Sequence, residues 1–160
     1  MKKLSKHITD FFHAQGCVIV STVDAGGMIH AACKGVVEIA PNGRVYLLDL
    51  YQARTFKNLQ RNPHLSISGI DEHDFAGYCL KGTAKIVDKA GIAPRILKAW
   101  EDRITRRLTR RIIKNLREEK GHPSHPEASL PPPQYLIELQ VEEVVDLNPR
   151  HMRKDRGENG

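Results

Sequence analysis

Apolar residues recur along the chain with two different periods, and each change of period marks a change of element. Leu4, Ile8, Phe11 and Phe12 fall at helical spacing, which predicts a short amphipathic helix over 4–15, ended by Gly16. Residues 17–23 (Cys-Val-Ile-Val-Ser-Thr-Val) are short and β-branched, a strand. After the turn Asp24-Ala25-Gly26-Gly27, residues 28–39 read as one long second strand, with His30, Ala32, Lys34 and Val36 on one side. Pro41-Asn42-Gly43 is a hairpin signal, and 44–50 is the third strand. The period then becomes helical: Ala53, Phe56, Leu59 and Gln60 predict a helix over 52–61, closed by Asn62-Pro63.

Residues 64–68 alternate polar and apolar, a fourth strand, and 75–87 form a fifth. The fifth carries Gly77 and Gly82, and glycine inside a strand marks a bulge or the close approach of another backbone. The longest helix is expected over 92–119, with Leu97, Trp100, Ile104, Leu108, Ile112 and Leu116 on one face and Arg and Lys opposite. A proline-rich loop follows over 121–133, then a sixth strand over 135–141, extended to 146. The strands come in hairpin-like order, and most connections are too short for parallel crossovers. The expected fold is mainly β with helices: a six-stranded antiparallel split β-barrel carrying one long helix in its C-terminal half. One domain over 1–149 is expected, with a charged, disordered tail over 150–160.

Composition narrows the class. A chain of 160 residues that is 40% hydrophobic and 28% charged is long enough for one real core and too apolar for wholesale disorder. No apolar run approaches the ~18 residues that span a bilayer. The basic start Lys2-Lys3-Leu4-Ser5-Lys6 has no apolar run behind it, so neither a secretory signal nor a membrane partner is expected, and a cytoplasmic location is. Cys17, Cys33 and Cys79 are odd in number, lack a CxxC pair and sit in strand-like runs, so they are expected as small buried hydrophobes. His122 and His125 have no cysteine or carboxylate cluster beside them and are expected in a solvated loop, with no metal site.

The net charge is +6, and residues 101–120 hold eight Lys/Arg against four Asp/Glu. Arg103, Arg106, Arg107, Arg110 and Arg111 are expected as a solvated helical face rather than a specific nucleic-acid site. Aromatics are only 6% and mostly lie in apolar patterns, which leaves little for base stacking. Trp100, on the apolar face, is expected in the core.

No Walker loop, GxGxxG, HExxH or GxSxG occurs. The informative stretch is 49–63, where a strand gives way to a helix and Arg54 and Thr55 fall at the helix start. Free backbone N–H groups and the helix dipole favour an anion there, and a guanidinium and a hydroxyl add donors suited to phosphate.

With that turn in view, the order of features resembles the flavin-binding split barrels related to pyridoxamine 5′-phosphate oxidase. The matching pieces are Val20-Ser21-Thr22-Val23-Asp24 with Gly27-Met28-Ile29-His30; Gly43-Arg44-Val45-Tyr46-Leu47; Arg54-Thr55 with Lys57-Asn58-Leu59 and Arg61-Asn62-Pro63; and Gly77-Tyr78 with Lys81-Gly82-Thr83-Ala84. The resemblance implies a homodimer with one FMN per subunit at the dimer interface. It implies phosphate contacts from Arg54 and Thr55, an isoalloxazine along Ala31, Ala32, Cys33 and Lys34, and a lining from Asp49 and Leu50. It implies an FMN-dependent oxidoreductase with an open substrate. Three departures argue against a true pyridoxamine-phosphate oxidase: Thr55 stands where those enzymes carry a second basic residue, their C-terminal Trp and Arg have no counterpart in 144–156, and the long basic helix is unusual for the minimal barrel. The alternative is a non-catalytic flavin- or haem-binding module, for which His30 and His64 are candidate haem ligands. No general base is assigned.

Overall fold

The computed structural model describes residues 2–117, 129–149 and 151. Its elements are α1 (Lys6–Ala14), β1 (Val18–Val23), β2 (Ile29–Lys34), β3 (Val36–Ile39), β4 (Arg44–Asp49), α2 (Arg54–Arg61), β5 (His64–Asp71), β6 (Ala76–Asp88), α3 (Pro94–Leu116) and β7 (Tyr135–Asp146). The strands form one antiparallel sheet in the order β2-β1-β5-β6-β7-β4-β3. The expected split barrel is present, with seven strands rather than six. The predicted second strand is two, because Gly35 interrupts it and the halves pair with different neighbours: β2 with β1, β3 with β4. One extended segment thus supplies both edges of the sheet, and the seam of the barrel lies at Gly35.

The barrel is filled by alternate residues of its strands, among them Val18, Val20, Val45, Leu47, Ile67, Leu80, Ile137 and Leu139, with Phe12 of α1 packed into the same core. A second apolar layer lies on the outer side of β3, β4 and β7, where Val37, Tyr46, Leu48 and Leu136 meet Ile92 and Ile96. Those strands are covered on both faces, which is why 45–48 and 135–137 read as continuous apolar runs rather than alternations. Trp100 packs against this second layer, as its place on the apolar face predicts. Pro94 opens α3 at a position where its missing N–H costs nothing. The far end of the helix leaves Ile112, Ile113 and Leu116 exposed, so only its first half is used against the barrel.

Two glycines do specific work. Gly43 sits in the predicted hairpin at φ 87°, and a Cβ there would lie 2.2 Å from the Lys2 carbonyl oxygen, where the N-terminal segment crosses. Gly82 lies at the irregularity between β6 and β7, and its Cβ would lie 1.9 Å from the Gln140 carbonyl oxygen. Among the described residues no helix is long and apolar enough to cross a membrane.

Candidate functional site

The seam of the barrel carries a buried polar knot. Val36 pairs with Leu47, so two residues further out Lys34 falls opposite Asp49. The Lys34 ammonium forms an ion pair with Asp49 Oδ2, and the side chains are only 11% and 8% exposed. The Tyr135 hydroxyl donates to the same oxygen at 2.6 Å, and the Tyr51 backbone N–H donates to Oδ1 at 3.3 Å. A buried carboxylate is tolerable when it is paired and hydrogen-bonded in this way. Burial, followed by the hydrogen bond to Asp49, pushes the Tyr135 phenol well above its ordinary value, so it remains a donor.

Beside this knot lies a cleft of about 300 Å³ lined by Cys33, Lys34, Asp49 and Leu50 on the barrel side and by Trp100 and Arg103 on the α3 side. Four of the sequence-predicted residues therefore share one cavity. Ala31 and Ala32 continue along β2, an edge strand, outside the residues that line it.

Arg54 and Thr55 open α2, as the strand-to-helix transition predicts. The N-cap, Ala53, offers no side-chain hydrogen bond, so the first N–H groups of the helix lack the usual cap. Arg54 is exposed and makes no hydrogen bond or ion pair among the described residues. Thr55 is 4% exposed. The helix is held in place further along: Asn58 Nδ2 donates to Thr22 Oγ1 at 3.0 Å, and Arg61 donates to the Val23 carbonyl at 2.7 Å. The helix packs on β1, β2 and β6, with Arg54 and Thr55 outside the Lys34 cleft. What the turn offers chemically is an exposed guanidinium beside uncapped helix N–H groups, with no acceptor for Arg54 among the described residues, which suits a phosphate or carboxylate.

Several other expectations meet the structure differently. His30 pairs with the buried Thr22 and shares its face, whereas His64 alternates with the buried Leu65 and faces the other way. The two do not converge on one ligand. His64 lines a separate cleft of about 360 Å³ with Thr22, Lys81 and Glu142. Cys79 is buried as expected, but Cys17, in the turn before β1, and Cys33, on the edge strand β2, are exposed. A hydrogen bond with the Cys17 thiol, together with burial, pushes the Cys33 thiol up. Arg106 and Arg110 are solvated, but Arg103, Arg107 and Arg111 are half-buried, since the turn between α1 and β1 lies against this side of α3. His122 and His125, and nearly all of 150–160, lie outside the described residues. No group of three or more metal-capable side chains occurs among the described residues. Tyr135 was missed at the sequence level; it is 86 positions from Asp49, and only the β4–β7 register brings them together.

Comparison with known proteins agrees with this architecture. No curated protein matches the sequence. Among solved structures, the chain is similar to HupZ of Group A Streptococcus, with TM-score 0.62, 18% identity, and 91% of this chain and 94% of that one covered. It is similar to an F420 reductase, with TM-score 0.58, 14% identity, and 89% and 98% covered. It is also similar to HutZ, the heme storage protein of Vibrio cholerae, with TM-score 0.52, 20% identity, and 91% and 95% covered. At these identities the likeness is one of fold. The sequence itself matches the pyridoxamine 5′-phosphate oxidase family over residues 4–148, nearly the whole described fold, and the chain belongs to that family.

Proposed function

We propose that the protein is an FMN-binding flavoprotein that works as an oxidoreductase on a substrate still to be identified. The observation that carries this reading is the start of α2: Arg54 has no protein partner among the described residues, and it stands at an uncapped helix N-terminus directly after the strand that ends in Asp49. Arg54, Thr55 and the first N–H groups of α2 hold the phosphate. The small side chains of Ala31 and Ala32 and the neighbouring Cys33 let a flat ring approach the β2 backbone, and Asp49 and Leu50 close one side. Asp49 fixes Lys34, whose ammonium has three donors and so keeps two for the cleft. FMN, when bound, supplies the hydride or electron transfer that no side chain here offers. The family membership and the likeness to an F420 reductase support the reading.

The same reading calls for a homodimer. A ring laid along an edge strand leaves one face in water, and β2 and the turn before it expose Ile29 (77%) and Met28 (69%). A second copy related by a two-fold axis covers both. Sedimentation equilibrium should show a dimer at micromolar protein; monomer alone contradicts it.

Titration of the full-length protein with FMN, followed by flavin absorbance and fluorescence, tests the cofactor. Saturable quenching at one FMN per chain is expected. A parallel titration with haem separates the alternative module: a shifted Soret band with no response to FMN replaces the flavin reading, and silence toward both removes it.

A further inference from the structure

Arg103, Arg106, Arg107 and Arg110 follow one another at i, i+3, i+4 and i+7, one face of α3. With His13 and Gln15 they line a groove of about 460 Å³ between α3 and the α1–β1 turn. Like charges at this spacing destabilise a helix. Arg103, Arg106 and Arg110 have no carboxylate partner among the described residues. Arg103 instead donates to the Gln15 carbonyl at 2.5 Å, and Arg107 to the Gly16 carbonyl at 3.0 Å. The neutral Gln15 carbonyl fixes the direction of the Arg103 guanidinium without neutralising it. The Nε of Arg103 is buried and has no hydrogen-bond partner among the described residues. Buried N–H donors without an acceptor are rare in native proteins and call for an explanation. Burial first, and the neighbouring Arg107 and Arg106 after it, lower the affinity of Arg103 for its proton.

We propose that this groove binds a compact polyanion, a diphosphate or a polycarboxylate, at a site separate from the start of α2. An anion in the groove offsets the repulsion along the helix. No Phe, Tyr or Trp lines the groove among the described residues, so it offers bases nothing to stack on, which favours a small polyanion over single-stranded nucleic acid. No carboxylate lines the groove among the described residues. Arg103 and Arg107 also line the Lys34 cleft, so the ligand would border the cavity assigned to the flavin ring. The proposal does not depend on flavin binding.

Isothermal titration of the full chain without FMN, using inorganic pyrophosphate and citrate as probes, tests it. Saturable binding of at least one probe is expected, and the preferred probe separates phosphate from carboxylate chemistry. Arg106→Gln and Arg110→Gln, whose side chains are solvated, should each weaken binding about tenfold, the loss of one charge-assisted hydrogen bond. Arg103→Lys replaces the guanidinium fork while keeping the charge and should weaken binding at least as much, with the chain still unfolding cooperatively in a thermal melt. In an Arg54→Ala background, which removes phosphate binding at the start of α2, the isotherm should keep its dependence on Arg106 and Arg110, and Lys85→Gln, at an exposed position of β6, should leave it unchanged. The proposal is overturned if neither probe saturates in the millimolar range. It is also overturned if Arg54→Ala abolishes binding while Arg106→Gln and Arg110→Gln do not, or if a short DNA duplex binds more tightly than pyrophosphate and is not displaced by it.

Discussion

Lys34 and Arg54 are both cations of the candidate site, and the protein treats them in opposite ways. Lys34 is tucked into the seam against Asp49, whose two oxygens also accept from Tyr135 and Tyr51. Arg54 stands exposed at the head of α2 with no acceptor among the described residues. A charge already engaged inside the fold contributes mainly to geometry. Its partner would be stranded without it, and most of its field is cancelled locally. A charge left without a partner at an uncapped helix N-terminus contributes little to stability and keeps its full attraction for a ligand. Sequence type alone does not separate the two roles; the register of the strands does.

Stability measurements can break that contrast. Asp49→Ala should have the largest effect, about 3–5 kcal/mol by urea denaturation, because it strands a buried ammonium and leaves the Tyr135 hydroxyl without its acceptor. A loss below about 1 kcal/mol would mean that the knot is dispensable. Lys34→Met should cost less, about 2–3 kcal/mol, since Asp49 keeps the donors of Tyr135 and Tyr51. Tyr135→Phe removes one hydrogen bond to a charged acceptor and should cost roughly 1.5–2 kcal/mol. Arg54→Met closes the series: stability should stay within about 0.5 kcal/mol of the wild type. If Arg54→Met is as damaging as Lys34→Met, the two cations do not differ in the way described.

How much of this the chain reveals by itself depends on the range of the interaction. The Pro41-Asn42-Gly43 hairpin and the special place of Gly82 are legible, because a positive φ and a backbone crowding a Cβ leave glycine as the local answer. The start of α2 is legible because a change of period marks it. The split at Gly35 is not, since 28–39 keeps the alternation of a single strand and the change of partner is tertiary. Counting outward from the hairpin would set Lys34 opposite Leu50; only the register shift between Val36 and Glu38 sets it opposite Asp49, and the third member, Tyr135, has no local signal either. The exposure of Cys33 goes with β2 being an edge, and alternation alone does not tell edge from centre. The partial burial of Arg103 and Arg107 likewise depends on where the α1–β1 turn lies.

The central claim is that the unpartnered cation at α2 is there for a phosphate. FMN and riboflavin differ by that phosphate, so their affinities for wild type and Arg54→Ala test it directly. A lost charge-assisted hydrogen bond of roughly 1.5–3 kcal/mol predicts that FMN binding weakens by about ten- to a hundredfold. Riboflavin binding should hardly change. Thr55→Ala should act in the same direction and more weakly, since a neutral donor gives less. If Arg54→Ala binds FMN like the wild type, or loses FMN and riboflavin equally, the phosphate does not sit at this turn and the account is wrong.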